Sequence, residues 1–437
     1  MNETNSKDRS RAKQENRKNW TLIWVVGLVG QFCWNIENQW FNTFVYAKIA
    51  PDARIISWMT AISAAATTIA TFSAGTLSDR AGRRRPFIFV GYLLWGLFTI
   101  GFGCAQLLPK NQLTAAAVMV VAMDAFMSFF GSVGNDAGFA AWTTDVTNPG
   151  NRGQLGAAVA TQPVIATIAG TVISGILIEK IGYFAFFIMV GVFVAVVGMT
   201  GASLMRESPE LRPVRDEKGF FHQLLQVFDF ATFRQNRELF CVFFIMTVYF
   251  ICFNFYFVHI GNYFIYTLGY SEGTSGAIEG AGLLLAVLST IPASGIINKG
   301  KYAELIAASV AFTIVGLLIL AVSGHAIVLI EIGIVLAGIG YVLVLQTTTA
   351  WAKNLYPVGN RGQFEGIRIL FFVLIPMIVG PSIAGLIIRR FGVPVVIDGV
   401  SGKAPSSALF LAAACFTIFT LIPTAFAVRE KKKAAGR

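Results

Sequence analysis

The sequence predicts an all-α membrane protein of twelve transmembrane helices arranged in two related six-helix bundles. Three observations predict it: a composition too apolar for one soluble core, apolar runs of membrane-crossing length along the whole chain, and an internal duplication. Of 437 residues, 55% are hydrophobic and only 13% charged, and the mean hydropathy is +0.66. Runs of about 20 apolar residues, enough to cross a hydrocarbon layer of roughly 30 Å, recur from end to end.

The runs place spans at 20–46, 55–78, 86–107, 113–142, 154–178, 182–204, 238–267, 272–297, 302–322, 326–351, 363–388 and 405–427. The first is too long, and its leader too polar, for a signal-peptide core. The domain plan is a tail over 1–19, a first bundle over 20–204, a linker over 205–237, a second bundle over 238–427 and a basic tail over 428–437. In the linker Phe220, Leu224, Val227, Phe228 and Ala231 recur at helical spacing, which predicts an amphipathic helix on the membrane face.

The net charge of +11 is distributed by side. Of the 34 Lys and Arg, 26 fall in the tails and in the loops after even-numbered spans, and seven in the opposite loops. By the positive-inside rule both termini are cytoplasmic, in a multi-pass protein of the cell membrane. This distribution argues against nucleic acid as a partner. The five cysteines all fall inside spans, where they read as small apolar packing residues and not as a disulfide framework.

The duplication is clearest between Ala141–Gln154 and Ala350–Gln363, which share Ala-Trp at the start and Gly-Asn-Arg-Gly-Gln at the end. Beyond it Gly170, Ile173, Gly175, Ile178 and Gly182 align on Gly380, Ile383, Gly385, Ile388 and Gly392. Nearer each half's start, Asn42-Thr-Phe-Val-Tyr46 matches Asn262-Tyr-Phe-Ile-Tyr266, and the same offset sets Gly75 on Gly295. Halves of this kind form carriers whose substrate binds between them near the midplane.

After the second span stands Gly75-Thr-Leu-Ser-Asp-Arg-Ala-Gly-Arg-Arg-Arg-Pro86. It resembles the signature loop of the major facilitator superfamily, a resemblance that, with twelve spans in two halves, covers the whole chain. Gly82-Arg-Arg-Arg-Pro-Phe-Ile88 and Gln31-Phe-Cys-Trp34 resemble the sucrose and related disaccharide carriers allied to the glycoside–cation symporters, as does Gly380-Pro-Ser-Ile-Ala-Gly385 with Arg361, Glu365 and Gly366. The second span carries no membrane carboxylate, so the paired-aspartate cation site of melibiose-type sodium symporters has no counterpart. Nor is there a basic residue over Ala137–Trp142, where plant sucrose carriers place one.

In the signature loop Gly82 permits a tight turn, and Asp79 can face a partly positive helix N-terminus, which the resemblance makes that of span 11 near Gly362. Arg80 and Arg83 are then expected to pair with Asp145 as a conformational latch, with topogenic charge as the simpler alternative. Arg152 and Arg361, in the two Gly-Asn-Arg-Gly-Gln runs, join the latch by their two-fold placement, or serve only where Asn caps a helix. Glu365 and Arg368 are spaced for an intrahelical pair.

For solute binding, Gln31, Asn35, Asn38 and Asn42 form one helical stripe in span 1, with Trp34 beside it to stack on a sugar ring. Span 7 answers with Asn254, Tyr256, His259 and Asn262, and span 10 with Gln346. Amides offer both donors and acceptors to a hydroxyl-rich ligand, but also to neighbouring helices. The intramembrane acids Glu37, Asp124, Glu279 and Glu331 mark proton coupling, because a buried carboxyl can be neutral in one conformation and ionised in another; each could instead be a helix contact. Glu37, beside the amides, leads, and Asp124 follows.

The expected function is import of a small polar solute, a sugar or glycoside, by proton symport through alternating access, working as a monomer in the lipid bilayer. No cofactor is expected, and the proton is preferred to sodium as coupling ion. Efflux by proton antiport is the alternative, disfavoured because Pro163 stands apart from Gly170 and Gly175 in span 5. A sensor or lipid-handling protein is a minor one. No metal spacing, nucleophile elbow or phosphate loop suggests an enzyme.

Overall fold

The computed structural model describes residues 2–147, 152–208, 211, 213, 230–356, 364 and 367–435. Ten described helical stretches are long and apolar enough to cross a membrane. One of them, Thr161–Leu204, reverses at Gly182, whose φ of 76° and ψ of 163° suit glycine alone, so it supplies two crossings. The twelfth is the first helix, Asn2–Ile36, whose amides and polar start lower its mean hydropathy below that of the others.

Numbered by crossing, α1 is Asn2–Ile36 with its continuation to Ile49, α2 Ala53–Ala81, α3 Arg85–Cys104 and α4 Leu113–Gly131 continued to Asp145. The two arms of Arg152–Leu204 are α5 and α6. In the second half α7 is Arg237–Asn262 continued to Thr267, α8 Glu272–Val287 with Thr290–Asn298, α9 Tyr302–Val322 and α10 Ile327–Leu355. The wide turn Leu370–Leu374 leads into α11, Ile375–Phe391, and Ala408–Thr417 running on to Ala435 is α12. The expected linker helix lies outside the described residues, apart from the short helix Phe230–Gln235.

One element is absent from the sequence reading. Strands β1 (Val393–Ile397) and β2 (Val400–Ala404) pair antiparallel between α11 and α12. Asp398 and Gly399 turn the hairpin with φ of 51° and 83°, the Asp-Gly pair that a two-residue turn with positive φ requires. The hairpin marks one face of the molecule, and the chain ends mark the opposite, tail face.

The duplication becomes geometry at the hairpin face, where matched positions meet each other. Tyr46 and Tyr266 stack with centroids 5.7 Å apart, and the Asn262 amide donates to the Asn42 carbonyl at 3.1 Å. Across the same axis α2 packs on α11, with Ser57 Oγ donating to the Pro381 carbonyl at 2.8 Å, and α5 packs on α8. Space there is tight: a Cβ added at Gly175 would lie 2.5 Å from the Glu272 carbonyl oxygen, and one at Gly276 2.4 Å from that of Thr171. The hairpin adds a strap. Lys403 N donates to Pro51 O at 3.0 Å, Tyr46 OH to Lys403 O at 3.1 Å and Lys110 Nζ to Asp398 O at 2.7 Å. Beneath lies a cavity of about 250 Å³ walled by both halves. On this face Asp52 caps α2; partial burial works against its carboxylate, but hydrogen bonds from Arg54 prevail and hold it below the usual range.

The tail face differs. The equivalent glycines Gly75 and Gly295 each have nothing within 4 Å of an added Cβ, and the described hydrogen bonds that join the halves gather at the hairpin side. The cleft between the bundles therefore opens toward the tails.

The signature loop works within one half and corrects the expected pairing. Gly82, at φ 60°, ends α2, with Arg83 N bonding Ser78 O and Gly82 N bonding Asp79 O. The arginine that meets Asp145 is Arg84, with Nε 3.0 Å from Asp145 and Nη1 2.6 Å from Asp79, while Arg80 and Arg83 are exposed. The physical reason is the turn: the left-handed Gly82 sends Arg84 inward, where Ser78 also accepts from it. Asp79 is thus held by Arg84; the expected partner end of span 11 lies outside the described residues. Burial alone would weaken proton binding by Arg84, but Asp145 and Asp79 outweigh it and raise its proton affinity. Glu207 accepts from the backbone N–H of Arg84 and Arg85 at the start of α3, and Arg85 donates to carbonyls ending α6, each charge opposing a helix dipole.

Two outcomes follow from these contacts. Overpacking costs about 1–3 kcal/mol, so Gly276→Leu should shift a balanced equilibrium roughly tenfold toward an open hairpin face, read as faster labelling by an impermeant thiol reagent of Thr43→Cys, which is buried against Gly261 of the other half; unchanged labelling would contradict the crossing. Arg84→Ala removes hydrogen bonds to charged groups worth about 1–3 kcal/mol each and should lower the apparent melting temperature by several degrees, with Arg83→Ala neutral. Equal effects of the two variants would contradict the assignment.

Candidate functional site

The site begins with a change of helical pitch in α1. From Glu37 to Phe41, and again from Val45 to Ile49, the helix widens to i→i+5 bonding, a distortion frequent at functional sites. Side chains meet carbonyls near these turns: Asn38 Nδ2 donates to Trp34 O and Asn42 Nδ2 to Asn38 O, both at 2.7 Å, and Thr43 Oγ1 to Trp40 O at 3.0 Å.

Burial divides the predicted amide stripe, and its split begins in the regular helix before the first wide turn. Gln31, Trp34 and Asn38 are partly exposed, whereas Asn35 and Asn42 are buried. Asn35 Oδ1 lies 3.5 Å from Thr171 Oγ1 of α5, and a Cβ at Gly170 would strike it. Asn42 belongs to the contact between halves. Trp34 rests on Trp95 of α3 with centroids 4.9 Å apart, and Gln31, Trp34 and Asn38 are the members of the predicted first-half set that are not buried.

Behind that group is a chain of acids. Glu37 Oε1 accepts from Ser63 Oγ of α2 at 2.7 Å and from Ser128 Oγ of α4 at 2.6 Å, and the two hydroxyl oxygens are 2.6 Å apart. Asp124 lies one turn before Ser128 on α4 and is buried. Glu37 Oε2 and Asp124 Oδ1 are both buried without a hydrogen-bond partner among the described residues. A third carboxylate joins them that the sequence reading missed: Asp136, in the wide turn Ser132–Phe139 of α4, accepts from Ser132 Oγ at 3.0 Å and Asn135 Nδ2 at 2.9 Å. Asn135 Oδ1 in turn accepts from Tyr92 OH of α3 at 3.0 Å. An acid inside span 4 was signal enough, and the rule that selected Asp124 selects Asp136 too.

The second half presents a different surface. Glu279 of α8 is buried; its Oε1 accepts from Ser275 Oγ at 3.1 Å, and its Oε2 accepts at 2.8 Å from Nε2 of Gln39, across the boundary between halves. Gln39 was also missed, because it lies off the stripe. Beside Glu279 is a slot of about 30 Å³ lined by Phe253, Tyr256, Phe257 and Ile260 of α7 and by Tyr341 of α10. Phe253 is stacked between Phe257 and Tyr341, with centroids 4.5 and 4.4 Å away.

Of the remaining candidates, Asn254 is buried with its amide on Phe250 O at 2.8 Å, and Asn262 holds Asn42. His259 is fully buried, neither ring nitrogen having a partner among the described residues. These three serve packing and closure, and Tyr256 alone of the span 7 set lines the slot. Gln346 of α10 ties to the break in α8, with Nε2 3.0 Å from Ser294 Oγ and 3.3 Å from Thr290 O. Glu331 of α10 is half-buried opposite Gly282, in the other bundle from Asp124. The Arg368 guanidinium lies 5.3 Å from the Phe372 ring. Arg361, Glu365 and the side chain of Arg152 fall outside the described residues.

The family model described as Major Facilitator Superfamily matches residues 23–330 and 242–437. No curated protein sequence matches. Among solved structures, a variant of the nucleoside transporter NupG superposes with a TM-score of 0.72 at 10% identity, covering 93% of this chain and 99% of that one. A bacterial homologue of the human lysosomal transporter Spinster, inward-facing and occupied, gives 0.72 at 12% identity over 95% and 97%. A bacterial homologue of the iron transporter ferroportin, inward-facing, gives 0.68 at 12% over 94% and 98%. Identities this low speak for the fold, and the family match spans nearly the whole chain. With its two bundles joined about a two-fold axis, a cleft between them and these matches, the chain belongs to the Major Facilitator Superfamily of transporters.

Proposed function

We propose that the protein imports a small hydroxyl-rich solute, a sugar or glycoside, together with protons, by rocking its two halves around the central cleft. The observation that carries this reading is the back-to-back arrangement on α1. The partial exposure of Gln31, Trp34 and Asn38 supports their facing the cleft, while Glu37, in the widened turn that also holds Asn38, reaches Ser63, Ser128 and the neighbourhood of Asp124 and Asp136. A solute that engages the amides acts on the helix that holds the acid, so occupancy and proton affinity are linked. Trp34 on one side and Phe253 and Tyr341 on the other offer flat apolar faces for a sugar ring, and amides supply both donors and acceptors to its hydroxyls.

Glu37 is the coupling acid of this scheme, with Asp124 and Asp136 beside it and Glu279 and Glu331 in the second half. The proton is the coupling ion, and no cofactor takes part. The tail face, which carries the arginines of the signature loop, is the cytoplasmic side of a cell-membrane protein with both termini inside. Both bundles and the cleft come from one chain, so a monomer suffices.

Proteoliposomes under an inward proton gradient test the reading with a panel of monosaccharides, disaccharides, aryl glycosides and nucleosides. A sugar or glycoside should accumulate, and a protonophore should abolish the accumulation. Glu37→Gln should retain solute exchange without a gradient while losing at least about tenfold of gradient-driven accumulation, a loss of about 1.4 kcal/mol in coupling. Full accumulation by Glu37→Gln would remove that residue from the coupling role, and accumulation of nucleosides alone would replace the sugar.

A further inference from the structure

Glu279 occupies a position unlike that of the other acids. It lies where the two halves touch, sealed on the hairpin side by the Gln39 amide and bordered on the other by the aromatic slot. Its neighbours are neutral. Gln39 and Ser275 are its hydrogen-bond partners, and Gly261 of α7 is close enough that an added Cβ would lie 3.8 Å from Oε1. Titratable groups on its own helix and on the helices around it include Glu272 of α8, Cys33, Glu37, Tyr46 and Lys48 of α1, Glu179 and Lys180 of α5, Tyr249, Cys252, Tyr256, His259, Tyr263 and Tyr266 of α7, and Glu331, Tyr341 and Lys353 of α10. Among the described residues no lysine or arginine forms an ion pair with it.

A carboxylate buried without a countercharge is costly, and two neutral hydrogen bonds compensate only part of its lost hydration. A neutral carboxylic acid in the same place keeps both oxygens as acceptors and loses far less on leaving water. When the hairpin face is open, α1 and α8 separate at this point and water reaches Glu279, which removes the penalty on the ionised form. The cost of closing the hairpin face therefore differs between the two protonation states.

We infer that closing the hairpin face takes up a proton at Glu279, and that Gln39 is the positioning residue that receives the neutral acid across the boundary. The slot beside Glu279 is walled almost wholly by apolar side chains, of which Phe253, Phe257 and Tyr341 are only partly buried. The inference rests on the proposed proton symport and adds a second acid to it, one that answers to closure and not to the solute.

Spin labels at Lys48→Cys and Val400→Cys, on the two walls of the hairpin-face cavity, read closure as a distance in the solute-free protein in nanodiscs over an acid-to-alkaline series. In the otherwise unaltered protein the closed distance should dominate in acid and give way to a longer one in alkali. Glu279→Gln, neutral at every pH and still able to accept from Gln39, should remain closed throughout. Gln39→Leu should shift the transition toward acid and Gln39→Asn should restore part of it, whereas Glu37→Gln should leave the pH dependence in place. A Glu279→Gln protein with an unchanged transition would overturn the inference while leaving proton-driven uptake through Glu37 intact. A transition abolished by Glu37→Gln instead would assign closure to the first half and overturn it equally. No pH dependence in the unaltered protein would also overturn it, and proton-driven uptake would then decide separately on the symport.

Discussion

Inside a bilayer no water answers a polar group, so each must be met by the protein, and most of this structure follows from that constraint. Helix α1 shows it best. Its two wide turns lie among carbonyls that Asn38, Asn42 and Thr43 meet with side-chain donors, and the first of them holds the buried acid Glu37 beside the partly exposed Asn38. Gln31 and Asn38 are only partly buried, Asn35 meets a neighbouring helix and Asn42 the opposite half, and Glu37 sits against two hydroxyls.

The second organising fact is the duplication, visible as paired helix crossings. Gly170 and Gly380 let α5 onto α1 and α11 onto α7 within each half, while Gly175 and Gly385 stand where each half leans on the other. The same residues thus serve bundle cohesion and the moving boundary. At the tail end, Trp142 and Trp351 occupy matched positions and donate from their indoles to Arg206 O and to Glu238 Oε1 respectively, tying α4 and α10 to the elements that follow α6 and begin α7. Gly75 and Gly295 are matched and have open space beside them.

Class, span number and internal symmetry were legible in the sequence because hydrophobic length and glycine spacing are local properties. Gly182 was legible as the end of one span and the start of the next. The hairpin was overlooked although Val-Pro-Val-Val-Ile-Asp-Gly-Val carries a β-branched run and a turn pair, because a loop between helices was read only for its length. The site was half legible. Glu37, Asp124 and Glu279 were found by the rarity of buried acids, but periodicity alone could not tell which amides of the stripe meet a neighbouring helix, as Asn35 does, or the opposite half, as Asn42 does. Arg84 could not be told from Arg80 and Arg83 without the left-handed turn that aims it, and Gln39 required knowing which residue crosses to the other half.

Alternating access of the two bundles is the claim on which the rest depends, and distances measured on both faces at once test it. With the native cysteines removed, spin labels at Leu77→Cys and Ile296→Cys report the tail face, and a pair at Lys48→Cys and Val400→Cys reports the hairpin face. Under conditions that drive exchange, the two distance distributions should be anticorrelated: the population with a short tail-face distance should be the one with a long hairpin-face distance. Distributions that broaden together, or a tail-face distance that never shortens, would contradict a carrier that exposes its cleft to one side at a time.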